Sequence, residues 1–172
     1  DHHEPNGHSP AAVDILNPKM EECSYPNRDL AAVGVSFKFA QALLARAGKP
    51  PEALESIFDL AALGTTADVV PMTGENRTLV KQGLGRINTK ANHGLQTLIK
   101  TAGLNKKPIE TWHILFGLAP RLNACGRMGD AGRGVELLTA ADPNIRHKIA
   151  RELEQENFRR RREDERILRE AI

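Results

Sequence analysis

Residues 30–44 read Leu-Ala-Ala-Val-Gly-Val-Ser-Phe-Lys-Phe-Ala-Gln-Ala-Leu-Leu, a stretch whose apolar side chains recur at helical spacing. One face of such a helix carries Leu30, Val33 and Phe37, and Gly48 with the following prolines ends it. Further helices are predicted by the same spacing on the C-terminal side, at 54–61 (closed by Gly64), 76–88, 95–102, 109–116 and 135–138. The chain is therefore predicted to be mostly helical.

On the N-terminal side, residues 12–16 read Ala-Val-Asp-Ile-Leu and predict a short buried strand that ends at Asn17-Pro18. A lone short strand is not stable by itself. We therefore expect the rest of its sheet to lie upstream, in residues that this chain lacks.

The last stretch, from Pro143 to the end, contains no helix breaker and mixes charges of both signs. Its apolar stripe of Ile145, Ile149 and Leu153 fades towards the end of the chain. This composition predicts a long, solvated helix over 143–172 that follows a domain formed by 1–142 and bridges it to another. The run of arginines at 159–162 precedes acidic residues, which favours pairing on the helix surface over a nucleic-acid patch.

Composition narrows the class of protein. Of 172 residues, 40% are apolar and 27% are charged, which is typical of a globular domain. A net charge of +2 permits a nucleic-acid partner but does not require one. No apolar run approaches the roughly 20 residues of a membrane span. Cys23 and Cys125 match no zinc spacing and predict buried thiols in a reducing compartment, so we expect a cytoplasmic protein.

Two separated segments carry candidate metal ligands. The chain opens on Asp1-His2-His3, and Asp68 follows Leu63-Gly64-Thr65-Thr66-Ala67. Imidazole and carboxylate together suit Mn, Fe or Zn better than Ca. Adjacent residues of a strand face opposite sides, so the two histidines should not both bind one ion. The alternatives are an ordinary histidine pair at a chain end and an aspartate that caps a helix or stabilises a turn.

Residues 121–130 are predicted to form a glycine-punctuated basic loop. Arg121, Arg127 and Arg133 are spaced by six residues among glycines, and Asn123 adds a further donor. Guanidinium groups bind phosphate through two hydrogen bonds at once, and glycine lets a backbone come close. A solvated loop with surface arginines is the alternative.

Taken in order, these segments resemble the RecJ-type single-strand-specific exonucleases of the DHH phosphoesterase family. The resemblance spans essentially the whole chain. It is carried by Asp1-His2-His3, Ile15 to Lys19, Cys23 to Pro26, Leu30 to Lys38, Leu63 to Pro71, Gly74 to Arg77, Leu118 to Met128 and Glu152 to Asn157.

This resemblance implies an α/β fold in which the chain is a fragment of a DHH parallel-sheet domain, mostly α-helical in its visible part. A long linker helix would lead to a DHH-associated domain. The implied activity is metal-dependent removal of nucleotides from the 5′ end of single-stranded DNA, in recombination and repair. Two divalent ions, Mn²⁺ or Mg²⁺, would lie in the site. The implied protein is a cytoplasmic monomer without a membrane partner, which repair or replication proteins could bind.

The resemblance also implies roles for individual residues. His2 and Asp68 would be metal ligands, with Asp68 essential to catalysis. His3 would sit over the scissile phosphate, and Asp1 would support the histidines from behind or lie beside the ions. Contacts to the DNA strand would come from Arg121, Asn123 and Arg127. One departure is Cys125, which stands where the family commonly has Ala.

The family's remaining aspartates would lie upstream of Asp1, so we expect the chain alone to bind Mn²⁺ weakly and to have no nuclease activity. Two enzymatic alternatives are an oligoribonuclease and a cyclic-dinucleotide phosphodiesterase of the same family. A degenerate member that serves as a replication or repair scaffold is the non-catalytic alternative. A helical interaction module without metal is a further one, and it requires coincidence at several motifs.

Overall fold

A computed structural model describes residues 1–5, 7–8, 10–128 and 131–170. Every regular element among these residues is helical. A 3₁₀ helix lies at Pro51–Ile57 and a π turn at Ile114–Leu118. The α-helices are α1 Ala32–Arg46, α2 Phe58–Ala67, α3 Gly74–Lys90, α4 His93–Thr101, α5 Thr111–His113, α6 Ala119–Met128, α7 Gly132–Thr139 and α8 Pro143–Glu170.

The chain divides into two compact units, Asp1–Arg86 and Ile87–Ile172. In the first unit, α1 and α2 pack together and α3 packs against both. Its core contains Phe37 and Phe58, whose ring centroids lie 4.9 Å apart. The other core side chains are Leu54, Ala61 and Leu79, with Ala40, Leu44 and Ile57 packed against them. The periodic face predicted around residues 30–44 thus faces this core.

In the second unit, α8 packs against α4, α6 and α7. The side chains at its centre are at most 2% exposed, namely Leu95, Leu98, Ile114, Leu118, Leu137 and Leu153. Burial along α8 ends at Asn157, and the residues that follow are mostly exposed. The helix predicted from Pro143 is therefore present, with its first half docked. The predicted division into a 1–142 domain and a 143–172 linker differs from the two compact units, and it stays a prediction.

The predicted buried strand at 12–16 is wrong for the described residues. These residues form no regular element, and Val13 and Leu16 are exposed. A strand requires a hydrogen-bonded neighbour, and no other described segment is a strand with which this one could pair.

The predicted end of α2 at Gly64 is also wrong, because the helix continues to Ala67. Gly64 is explained by packing instead. A Cβ atom there would lie 2.8 Å from Cγ1 of Val33 in α1, so the absent side chain lets the two helices approach.

The predicted basic loop at 121–130 is helical as far as Met128. Proline usually breaks a helix because it lacks an N–H and its ring crowds the carbonyl four residues earlier. Here the π turn precedes it, with the N–H of Ala119 bonded to the Ile114 carbonyl, so Pro120 falls in the first turn of α6. Proline is tolerated in that turn.

Among the described residues, no helix is both long and apolar enough to cross a membrane. Cys23 is a free, half-buried thiol. The side chain of Cys125 lies outside the described part of the chain.

Candidate metal site and nucleic-acid residues

The fold brings His2 and Asp68 together, although they lie far apart in sequence. Nε2 of His2 lies 3.2 Å from Oδ2 of Asp68. The His2 side chain is only 14% exposed, whereas that of Asp68 is 36% exposed. An imidazole nitrogen and a carboxylate oxygen thus meet at the surface of the first unit, where an ion could reach both.

Asp68 directly follows α2 and is its C-cap residue. The negative end of a helix dipole lies there, so a carboxylate does not stabilise this helix. The next residue, Val69, has a φ of 57°, a left-handed conformation that is rare for a β-branched side chain. An N-cap therefore does not account for Asp68, which lies with Val69 in the turn that follows α2.

Asp1 organises both histidines through a single carboxylate oxygen. Its Oδ1 accepts the backbone N–H of His2 at 2.7 Å and that of His3 at 3.3 Å. The same oxygen lies 2.7 Å from Nδ1 of the His3 ring. Asp1 thus contacts the backbone of both histidines and the ring of His3, and the supporting role that the resemblance implies for it stays a prediction.

The two histidine rings are neighbours, with centroids 4.4 Å apart. The expectation that they face opposite sides is wrong, because residues 1–3 are not a strand and the chain bends at His3. His3 remains 76% exposed, and only Nε2 of His2 is paired with Asp68. The site therefore has one shielded imidazole and one that faces solvent.

Asn17 is a supporting residue that sequence reasoning assigned only to the end of a strand. Its Nδ2 donates to the carbonyl of His3 at 2.9 Å, and its Oδ1 accepts the N–H of Lys19 at 3.0 Å. The residue is 8% exposed. In the sequence, an asparagine beside a proline is only a weak signal of such a role, because the fold decides which carbonyl the asparagine side chain meets.

His2 and Asp68 have the donor chemistry that suits Mn²⁺, and the carboxylate also suits Mg²⁺. No group of three or more His, Cys, Asp or Glu side chains that could hold a metal ion occurs among the described residues. The described residues thus fit part of a metal site.

Arg121 is buried against α8 rather than exposed on a loop. Its Nε and Nη2 donate to the two carboxylate oxygens of Glu154, and its Nη1 donates to the carbonyl of Gly117 at 2.6 Å. The Arg121 side chain is 11% exposed. A guanidinium has five N–H groups, so two remain for another ligand.

The other predicted nucleic-acid residues differ in accessibility. Asn123 is exposed on α6. The side chain of Arg127 lies outside the described residues. Arg133 is bound to α8 through Glu152 and through Glu156, the latter at 3.3 Å. Two arginines of the predicted phosphate-binding trio are thus paired with carboxylates of α8.

Comparison with known proteins gives consistent relatives. The chain is 41% identical over its whole length to the single-stranded-DNA-specific exonuclease RecJ of Bacillus subtilis, and 37% identical to that of Escherichia coli. The chain aligns with one segment of each of these relatives. The segment spans 21% of the Bacillus subtilis protein and 32% of the Escherichia coli protein. No family model matches the chain.

Solved RecJ structures have the same fold as this segment. RecJ of Thermus thermophilus in complex with Mn²⁺ matches 99% of this chain with a TM-score of 0.84 and 35% identity, over 25% of the solved chain. The same protein in complex with Mg²⁺ matches 89% of this chain with a TM-score of 0.74, over 23% of its own length. The RecJ-type resemblance inferred from the motifs is therefore confirmed.

Proposed function

We propose that this RecJ-type segment forms part of the active site of a single-strand-specific DNA exonuclease. The proposed enzyme degrades its strand from the 5′ end in recombination and repair. The observation that carries the proposal is the 3.2 Å approach of His2 to Asp68, two residues that the resemblance names as ligands. The similarity to RecJ exonucleases, whose solved structures include complexes with Mn²⁺ and Mg²⁺, supports it.

His2 and Asp68 would hold a divalent ion, Mn²⁺ or Mg²⁺, with further ligands from outside the described residues. A pair of such ions, when bound, activates water and stabilises both oxygens of an in-line displacement at phosphorus. This chain would contribute one imidazole nitrogen, from His2, and one carboxylate oxygen, from Asp68. Asp1 holds the backbone at His2 in place, because its Oδ1 accepts the backbone N–H groups of His2 and His3.

His3 has a different part. Its Nδ1 is paired with Asp1, which leaves Nε2 of an exposed ring for an oxygen of the scissile phosphate. The carboxylate fixes the orientation of the ring, and Nε2 would donate to a phosphate oxygen in the form of the ring that carries both protons. His3 would therefore orient the phosphate or help the leaving oxygen.

The strand contacts proposed for Arg121, Asn123 and Arg127 rest on the resemblance. Asn123 is accessible as it stands, on the exposed side of α6. Arg121 would use the two N–H groups that Glu154 and Gly117 leave open. Arg127 stays a prediction, as do the cytoplasmic location, the monomeric state and any repair or replication partner.

A chimera tests the proposal. The segment replaces the matching residues of the Bacillus subtilis relative, and release of nucleotides from single-stranded DNA is measured with Mn²⁺. The unmodified chimera should be active, and Asp68→Asn and His2→Ala should each reduce turnover by orders of magnitude. The matched control is Asp14→Asn, which changes an exposed aspartate of the same unit and should have normal activity.

Near-normal activity of Asp68→Asn in a folded, active chimera would remove Asp68 from the site. A substrate panel covers the alternatives, because an oligoribonuclease or a cyclic-dinucleotide phosphodiesterase would prefer dinucleotides to long single strands. Labelling the two ends of the DNA separately tests the 5′ to 3′ direction.

A further inference from the structure

The segment after Asp68 is a loop that leads from α2 to α3. It starts at Val69, whose left-handed backbone is disfavoured and whose side chain is 72% exposed. Exposed side chains contribute little packing that could hold such a conformation. The N–H groups of Asp68 and Val69 are bonded to the carbonyls of Gly64 and Thr66 in α2, at 3.1 and 3.3 Å. Beyond Val69 the loop needs a further anchor if Asp68 is to keep its direction towards His2.

Asn76, in the first turn of α3, supplies that anchor. It is completely buried, and its Nδ2 donates to the carbonyl of Pro71 at 3.0 Å and to that of Asp29 at 2.7 Å. Both partners are carbonyl oxygens, which only accept, so the amide cannot be turned around without losing both bonds. One side chain thus ties the loop after Asp68 to the segment before α1.

The residues before Asn76 hold the same helix start in place. Gly74 has a φ of 48°, which a residue with a side chain rarely adopts. Glu75 accepts the hydroxyl of Tyr25 at 2.8 Å and pairs with Lys38 of α1 at 2.8 Å. The Gly74-Glu75-Asn76 motif, which carries the family resemblance without a role of its own, forms a clip between three segments.

We propose that Asn76 is a positioning residue of the candidate metal site, acting through the 69–73 loop on Asp68. The inference rests on the proposed function of His2 and Asp68. Asn76 itself contacts neither His2 nor Asp68, and it acts through its hydrogen bonds to the carbonyls of Pro71 and Asp29. Its Oδ1 is buried without a hydrogen-bond partner in the described part of the chain, so only the donating half of the amide does the positioning.

The first test measures backbone hydrogen exchange in the 172-residue chain. Asn76→Asp keeps the shape of the side chain and removes both donors, and Asn76→Ala removes the polar group. The N–H groups of Asp68, Val69 and Arg77 are hydrogen-bonded to the carbonyls of Gly64, Thr66 and Thr73 at the two ends of this loop. Both variants should exchange these three amides at least about tenfold faster, because each tenfold corresponds to the loss of one modest hydrogen bond. Leu54→Ala is the control, since it weakens the core of the same unit without touching the loop.

The second readout is line broadening of the His2 ring protons by Mn²⁺ in the same chain. The Asn76 variants should require more Mn²⁺ for the same broadening than Leu54→Ala of equal stability. Unchanged loop exchange, or equal Mn²⁺ dependence in the Asn76 variants and the control, would overturn the inference. Absence of broadening in the unmodified chain would contradict the proposed function, and loop exchange alone would then decide the inference.

Discussion

Gly83 and Gly85 lie close together in α3, yet an added side chain would meet different surroundings. A Cβ atom at Gly83 would lie 2.2 Å from the carbonyl oxygen of Phe58 and 2.3 Å from Cβ of Ala62. A Cβ atom at Gly85 would meet nothing within 4 Å. Gly83 thus sets the approach of α3 to α2, and Gly85 does not.

We predict that Gly83→Ala reduces the free energy of unfolding by about 1–3 kcal/mol or more, because a backbone atom must move. Gly85→Ala, the matched control, should raise it by about 0.5–1 kcal/mol, since alanine restricts the unfolded chain and favours a helix. Urea unfolding followed by circular dichroism measures both. A tolerated Gly83→Ala would contradict the packing of α2 on α3.

At the scale of elements, Glu75 links the start of α3 to α1 and to the preceding loop. Partial burial alone would raise the pKa of Glu75, but hydrogen bonds from Lys38 and Tyr25 outweigh it and lower the pKa. The hydrogen bond to Glu75 raises the pKa of Lys38. Burial, and then the bond to Glu75, raise the pKa of Tyr25. All three shifts favour the protonation states found near neutral pH.

These pKa shifts predict an acid and an alkaline limit to the free energy of unfolding that Glu75, Lys38 and Tyr25 contribute. The contribution of Glu75 is complete above the unfolded pKa of about 4.3 and is lost as pH falls through the lower folded pKa. The contributions of Lys38 and Tyr25 are complete below about pH 10 and are lost as pH rises through their folded pKa values. Glu75→Gln should therefore cost stability at neutral pH, and less at both extremes.

The expected loss at neutral pH is about 0.2–1 kcal/mol, because the Lys38 and Glu75 side chains are each 35% exposed. Urea titrations from acid to alkaline pH measure it. Glu55→Gln serves as the control, because Glu55 is an exposed glutamate of the same unit. A constant difference between Glu75→Gln and the unmodified chain at every pH would contradict the assigned shifts.

Arg121 and Glu154 link α6 to α8. Arg121→Ala leaves the Glu154 carboxylate and the Gly117 carbonyl without this donor, so we expect it to reduce the free energy of unfolding. The Glu154 side chain is 36% exposed, so the expected loss is about 1–3 kcal/mol, below the value for a fully buried pair.

A double-mutant cycle with Glu154→Ala should give a coupling free energy of about 0.5–3 kcal/mol. Arg166→Ala is the control, because Arg166 pairs with Glu163 on the exposed part of α8 and should have no measurable effect. Additive single and double variants would show that Arg121 and Glu154 do not stabilise the contact.

For the whole molecule, the described residues offer His2 and Asp68 as the paired metal donors, and no group of three. We predict that the 172-residue chain binds Mn²⁺ weakly and releases no nucleotides from single-stranded DNA. Calorimetry and a nuclease assay on the isolated chain test this prediction. Tight binding together with turnover would mean that the chain supplies a complete site.

The sequence by itself determined most helices and the family resemblance. Helical spacing around residues 30–44 and an unbroken run from Pro143 are local patterns, and α1 and α8 follow from them. The Asp1-His2-His3 motif and Asp68 could also be identified as candidates from local sequence, because a motif depends only on residue type and order. Periodicity is a property of neighbours, which a sequence displays directly.

Only the tertiary structure decided which distant residues meet. The approach of His2 to Asp68, the burial of Arg121 against Glu154 and the clip formed by Asn76 all join segments that are remote in sequence. The helix through Pro120 depends on the π turn before it. Residues 12–16 have strand propensity and still form no strand, because pairing requires a neighbour that the segment itself does not contain.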